Sequence, residues 1–276
     1  MSKTRILHVS QEIIPFLPDS TISNTSRQLP QTSHEKGKEI RVFMPRYGKI
    51  NERRHQLHEV IRLSGMNLII NDTDHPLIIK VASIPSARMQ VYFIDNEEYF
   101  KRKAFLRDEN GELFADNDER SIFFVRGVLE TVKKLGWSPD VIHCHGWMSS
   151  LMPMYVKELY KEDPHFADTK VVYSLYPEGF DGTLNKDLAK KVTMDGIDAS
   201  NVKDIQEPSF ENLNKLATKY SDGVIMHTET PQEGLEAQVT DAGKSLLAYS
   251  GEESFVGDIV NFYDEILEGK SALVEE

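Results

Sequence analysis

Arg5–Ser10 reads RILHVS and Glu39–Met44 reads EIRVFM, and these two stretches with the segment between them decide the fold. Each is short and apolar with polar ends, the pattern of a buried strand. Pro15 and Pro18 break the chain after the first. Asp19-Ser20 then offers N-cap chemistry for a helix reaching Lys36, with Gly37 as its stop. Pro30 falls inside that helix and is expected to kink or divide it. Strand, helix, strand is a βαβ unit, which implies parallel strands and a right-handed crossover.

Outward from this unit the pattern changes once and then returns. Residues 57–95 contain HEVIRL, MNLII, PLIIKVASI and RMQVYFID, separated by Ser-Gly, Asn-Asp and Pro-Ser turn signals. They read as a β-rich insertion of hairpins or a sheet extension. A helix over Glu119–Leu135, stopped by Gly136, precedes a strand at Asp140–His143. An amphipathic helix is expected over Trp147–Tyr160 and a strand over Lys170–Leu175. Residues 177–208 read as an irregular insertion with at most a short helix. Phe210–Tyr220 is helical, Gly223–Met226 is a strand, and helical stretches follow near Pro231–Gln238 and Val256–Leu267. The fold class is α/β: a Rossmann-like, doubly wound parallel sheet carrying a β-rich insertion. Residues 1–250 form that domain and 251–276 a C-terminal helical extension.

Composition narrows the function classes. The 276 residues are 39% apolar and 28% charged, which excludes a disordered chain or a fibre. Lys and Arg number 32 against 44 Asp and Glu, and the net charge of −12 repels phosphate backbones. Nucleic acid is therefore not an expected partner. Cys144 stands alone, so no internal disulfide forms and a reducing compartment fits. The start, MSKTRILHVSQE, is too short in apolar residues and too charged for a signal peptide. No apolar run reaches the length of a membrane span. The expected location is cytoplasmic, with no membrane partner.

Ligands of a doubly wound sheet collect at the C-terminal ends of its strands. Here those ends follow Ser10, Ile142 and Ser174. The second reads His143-Cys144-His145-Gly146-Trp147. In a continuing strand the histidines share one face and Cys144 takes the other. Two imidazoles are too few for zinc, and neither CxxC nor HExxH accompanies them. No metal and no cofactor are expected. A Cys-His catalytic pair would need both groups on one face. Two readings stay open: a buried strand end whose histidines are satisfied by neighbours, or a sugar pocket lined by His145 and Trp147.

A family resemblance adds to this. RILHVSQEIIPF (5–16) is followed by Leu29-Pro30, EKGKEIRVFMPRYGKI (35–50) and VYFIDNEEYFKR (91–102). DNDERSIFFVRGVLE (116–130), LGWSPDVIHCHGW (135–147) and NLNKLATKYSDGVIMHTETPQEGL (212–235) come next. In that order they resemble the N-terminal half of bacterial glycogen and starch synthases, which are ADP-glucose-dependent retaining glycosyltransferases. The similarity is greatest to short glycogen synthase-like proteins of Bacteroidetes-type bacteria, and it runs to about residue 250. It implies the starch synthase catalytic-type N-terminal half of a GT-B glycosyltransferase. In that family the active site lies between two such domains, and the C-terminal one makes most nucleotide-sugar contacts. This chain, ending at Glu276, is expected to lack it.

The departures from the family pattern bear on mechanism. Where the family has Lys-Thr-Gly-Gly-Leu, this chain has Pro18-Asp19-Ser20-Thr21-Ile22. Glycines let backbone N–H groups approach a diphosphate, whereas Ser20 and Thr21 add side chains, Pro18 has no N–H and Asp19 repels. The family's Asp-Trp-His becomes Gly146-Trp147-Met148, and its Thr-Ile-His-Asn becomes Tyr173-Ser174-Leu175-Tyr176. Methionine cannot replace histidine as a donor to a sugar hydroxyl. Arg46 and Arg102 match the family, as do the candidate glucan-binding residues Glu12, Tyr47, Tyr99, Asp118, Arg120, His145 and Trp147. Tyr47 and Tyr99 also suit the core, and Asp118 with Arg120 suits a helix-start ion pair. No residue receives a catalytic role. The expectation is a glycogen/starch synthase-family protein that binds α-glucan (glycogen or maltooligosaccharide) or supports glycogen synthesis, with ADP-glucose binding weak or absent. Its partner would be a second copy or a separate chain carrying the donor domain. The alternatives are a glucosyltransferase completed by a second subunit and an unrelated Rossmann-like nucleotide binder.

Overall fold

The computed structural model describes residues 3–229 and 234–269. Its strands are β1 (Arg5–Ser10), β2 (Glu39–Pro45), β3 (His58–Glu59), β4 (Met66–Ile70), β5 (Thr73–Ile84), β6 (Met89–Asp95), β7 (Val141–His145), β8 (Lys170–Leu175), β9 (Gly223–Met226) and β10 (Ser245–Leu247). The helices are α1 (Thr21–Glu35), α2 (Glu52–His55), α3 (Glu97–Phe100), α4 (Asn117–Lys134), α5 (Met152–Met154), α6 (Leu188–Met194), α7 (Phe210–Tyr220), α8 (Leu235–Asp241) and α9 (Glu252–Leu267). The expected helix start near Pro231 falls on residues outside those described, and α8 begins after them.

The sheet runs in the order β10-β9-β8-β7-β1-β2-β6-β5-β3, with β4 paired to β5. From β10 to β6 every pairing is parallel, and β5, β3 and β4 add antiparallel partners at one edge. The order steps outward from β1 in both directions, as in a doubly wound fold. The β-rich stretch is thus a sheet extension, but its last strand, β6, pairs parallel with β2 and belongs to the main sheet.

Helix α1 begins where the sequence places it. Ser20 accepts the Ser23 amide, and the Ser23 hydroxyl accepts the Ser20 amide, closing a capping box. The helix is not divided at Pro30. Leu29 and Pro30 are both buried, so packing works against the roughly 3 kcal/mol a mid-helix proline costs. The expected helix over Trp147–Tyr160 is broken instead. A 3-10 turn at Trp147–Ser149, α5 and a π turn at Tyr155–Leu159 follow one another. Pro153 lacks an N–H and so removes one helical hydrogen bond at the break, and residues 151–156 are buried throughout rather than presenting the expected polar face.

Strand alternation sorts the core into two layers. Leu7, Val9, Ile142, Cys144, Val171 and Tyr173 pack under α4, α7 and the 147–160 segment. Ile6, Val141, Val172 and Ile225 face the other way, against Leu29 of α1 and Phe255, Ile259, Phe262, Tyr263 and Ile266 of α9. Lys38 also pairs with Asp264. Helix α9 therefore covers this face of the sheet. Each of its fully buried apolar side chains contributes about 1.5–3 kcal/mol. Among the described residues no helix is long and apolar enough to cross a membrane.

Candidate functional site

The C-terminal ends of β1, β7 and β8 open onto a cavity of about 880 Å³. Gln11 and Glu12 line it after β1, Trp147 after β7, and Glu178 and Gly179 after β8. The 102–114 segment closes the far side with Arg102, Lys103, Phe105, Arg107 and Phe114, joined by Lys49. Gln11 is fixed at both ends: its amide donates to the His145 carbonyl at 2.9 Å, and its Oε1 accepts the Met148 amide at 3.3 Å. Gly146 has a φ of +82° and lies so close to Gln11 that an added Cβ would fall 2.7 Å from the Gln11 Cβ. Only glycine fits there.

The 102–114 segment is tied down by charge. Arg102 donates to both carboxylate oxygens of Asp116, at 2.9 and 2.7 Å, and its guanidinium lies 4.2 Å from the Phe114 ring centre. Gly48, the last residue of the MPRYG motif, permits close approach. A Cβ there would meet the Lys101 and Arg102 carbonyl oxygens at 2.3 Å. Arg120 is buried and reaches the same segment from behind. It donates to the Phe105 carbonyl at 2.9 Å and to Asn117 Oδ1 at 2.6 Å, over the rings of Tyr47 and Phe100. Burial lowers its pKa to about 10.

The sequence candidates divide accordingly. Glu12 and Trp147 line the cavity. Tyr47 is fully buried beside Arg120. Tyr99 donates to Glu119 at 2.9 Å and meets His75 Nε2 at 3.0 Å. Asp118 pairs with Lys191 at 2.6 Å. It is thus Lys191, not Arg120, that neutralises this acid. Burial raises the Asp118 carboxyl while Lys191 opposes the shift. His145 is buried, with Nδ1 at 2.8 Å from the Tyr176 hydroxyl. These five stand behind the cavity rather than on its surface. Lys49, Phe105, Phe114 and Glu178 line it without having been singled out in the sequence. Two phenylalanines in a polar stretch near 105–114 are the signal that could have found the aromatic pair.

Glu12 is the perturbed group of the cavity. Burial pushes its carboxyl up to about 7, the Ser20 hydroxyl donating to it opposes, and the Glu178 charge adds to the rise. Glu178 Oε1 accepts the Thr21 amide at 3.2 Å. Three amides at the start of α1 are thus bonded within the chain, Ser20 to Ser23, Thr21 to Glu178 and Ser23 to Ser20. A second cavity of about 960 Å³ is lined by Asp19, Ser20 and Thr21 at the start of α1, with Asn24, Gln28, His227, Tyr249 and Phe255.

Sheet order and cavity together define a Rossmann-like α/β protein with a cleft at the strand ends, where such folds place their ligands. Residues 5–238 match the starch synthase catalytic domain, and the chain belongs to that family. It is 37% identical to a glycogen synthase of Chlorobium limicola over 215 residues, which covers 78% of this chain and 43% of that protein. It is 36% identical to a glycogen synthase of Chlorobium luteolum over 241 residues, covering 84% of this chain and 49% of that one. The chain thus spans about half the length of the curated relatives it matches. The fold is shared with the catalytic domain of starch synthase IV from Arabidopsis thaliana bound to ADP and acarbose. That similarity has a TM-score of 0.71 at 18% identity and covers 90% of this chain and 51% of that one.

Proposed function

We propose that this chain binds an α-glucan in the cavity beside Trp147 and does not by itself transfer glucose from ADP-glucose. The cavity combines the apolar rings of Phe105, Phe114 and Trp147 with the polar ends of Gln11, Glu12, Lys49 and Arg102. Apolar walls with a few convergent polar groups suit sugar rings. Acids and bases are both present in its lining, so no single sign of charge selects an anion. The family supplies the substrate class, and acarbose, held by the starch synthase IV domain, is an oligosaccharide.

One observation carries the second half of the reading: the Thr21 amide is already bonded to Glu178. A free helix N-terminus favours a phosphate. Here a diphosphate would meet the Glu178 and Glu12 carboxylates, with Pro18 offering no amide. Transfer, in this reading, needs a donor site that the start of α1 does not supply.

Two assays on the purified chain test this. Trp137 and Trp147 are its only tryptophans, so maltoheptaose binding at the cavity reads out in fluorescence. Saturable quenching that Trp147→Ala removes and Trp137→Phe retains is expected. Its absence at high maltoheptaose would end the glucan reading. ADP release from ADP-glucose and glycogen should match that of a Trp147→Ala control. Turnover lost only in the control would show that the chain transfers glucose unaided.

A further inference from the structure

Behind the cleft, on the α9 side of the sheet, the strands bring imidazoles together. The β1–β7 register sets His8 against His143, and His145 follows two residues on along the same face. All three are fully buried. The rings of His143 and His145 lie 3.9 Å apart, with His8 at 6.0 and 5.9 Å from them. One nitrogen of each lies within 4.8 Å of the others.

The hydrogen bonds around this layer leave its centre unmet. His145 Nδ1 is paired with the Tyr176 hydroxyl, and His143 is held by Tyr263 at 2.6 Å and Ser174 at 2.7 Å. Among the described residues, neither nitrogen of His8 has a partner, nor does Nε2 of His145. A neutral imidazole carries one N–H and one lone pair. Each buried polar group left alone costs about 1–3 kcal/mol. Apolar residues at these positions would avoid that cost, so the cluster calls for a species between the rings.

We propose that His8, His143 and His145 bind a first-row divalent cation of zinc type. Three imidazoles with a water in the fourth position form an established zinc coordination set. Bonds of 2.0–2.1 Å put two ligands of one ion at most about 4.2 Å apart, so the trio contracts by on the order of an ångström. Tyr176 already holds His145 by Nδ1 and leaves Nε2 to the ion, as outer hydrogen bonds orient metal ligands. His143 gives up Ser174, which keeps His227 at 2.8 Å. Burial keeps the imidazoles in the neutral, ligating form. Ionisation of the bound water offsets part of the charge. Entry is from the second cavity, whose wall includes His227, stacked at 4.0 Å on Tyr176. No metal was expected because two histidines of one strand are too few; the third comes from a neighbouring strand. The inference stands independently of the glucan reading.

The test is Co²⁺ titration of the chelator-treated full chain, followed by Zn²⁺ competition. Expected are visible d–d bands of a nitrogen-ligated cobalt saturating at one equivalent, abolished by zinc. His8→Gln should weaken binding at least tenfold and His227→Gln should leave it unchanged. No bands and no zinc retained through gel filtration would overturn the proposal, as would unaltered binding in His8→Gln. If His8→Gln does not fold, imidazole ¹⁵N NMR of the wild type decides. Zinc-dependent shifts at His8 and His145 support the site, and unchanged resonances refute it.

Discussion

The carboxylate of Glu178, from the segment after β8, accepts the backbone amide of Thr21 at 3.2 Å and so occupies the N-terminus of α1. The acid interacts favourably with the helix dipole and satisfies an amide that has no partner inside the helix.

Removing that acid has a small, measurable cost. Glu178→Ala should lower stability by about 0.5–1 kcal/mol, the usual size of a charge at a helix end. Urea denaturation measures it. Millimolar ADP should not raise the melting temperature of the wild-type chain. A rise that persists in Trp147→Ala would show that the helix end is open to phosphate after all.

Glu12 makes stability depend on pH. Its folded pKa, about 7, lies above the ordinary 4.5, so the fold favours the protonated acid. The stability this gives is fully present below pH 4.5 and is lost as pH rises through about 7. Glu12→Gln cannot ionise. The variant should gain about 3 kcal/mol on the wild type between those limits. Parallel denaturation curves for the two proteins across that range would contradict the burial argument.

Lys191 lies between Asp118 at 2.6 Å and Glu119 at 2.7 Å and is nearly inaccessible. Lys191→Met leaves a buried carboxylate unpaired and should cost about 3–5 kcal/mol. Asp118→Asn in the same chain should recover part of that loss. Equal losses in the single and double variants would show that the pair carries no coupling.

Helix α9 is predicted to unfold together with the sheet. Phe262 is buried against Gly223 of β9 in the second core layer. Phe262→Ala should cost about 3–5 kcal/mol in one cooperative transition. A separate early transition, with the sheet unaffected, would mark α9 as an appendage.

Much of the fold was legible because its signals are local. RILHVS, KVVYSL and GVIM are strands at the residues where apolar runs begin and end. Ser20 caps α1 as its side chain allows. The failures were local signals overruled by packing. Pro30 did not divide α1, and residues 147–160 form a 3-10 turn, a short helix holding Pro153 and a π turn in place of one helix. At the site, the ordered family motifs marked Glu12 and Trp147, which do line the cavity. They also marked Tyr47, Tyr99, Asp118, Arg120 and His145, which are buried and do not line that cavity.

The sequence by itself determined the alternation of strands and helices, the parallel sheet this implies, and the family. It also determined that the turn before α1 has no glycines. Apolar periodicity and capping act over a few residues and can be read along the chain. Only the tertiary structure decided that Glu178 bonds the Thr21 amide of α1, that Phe105, Phe114 and Trp147 line one cavity, and that α9 covers the sheet. It alone set His8 beside His143. These contacts join residues far apart in sequence. Their register is set by the packing of whole strands and helices, which no short stretch encodes.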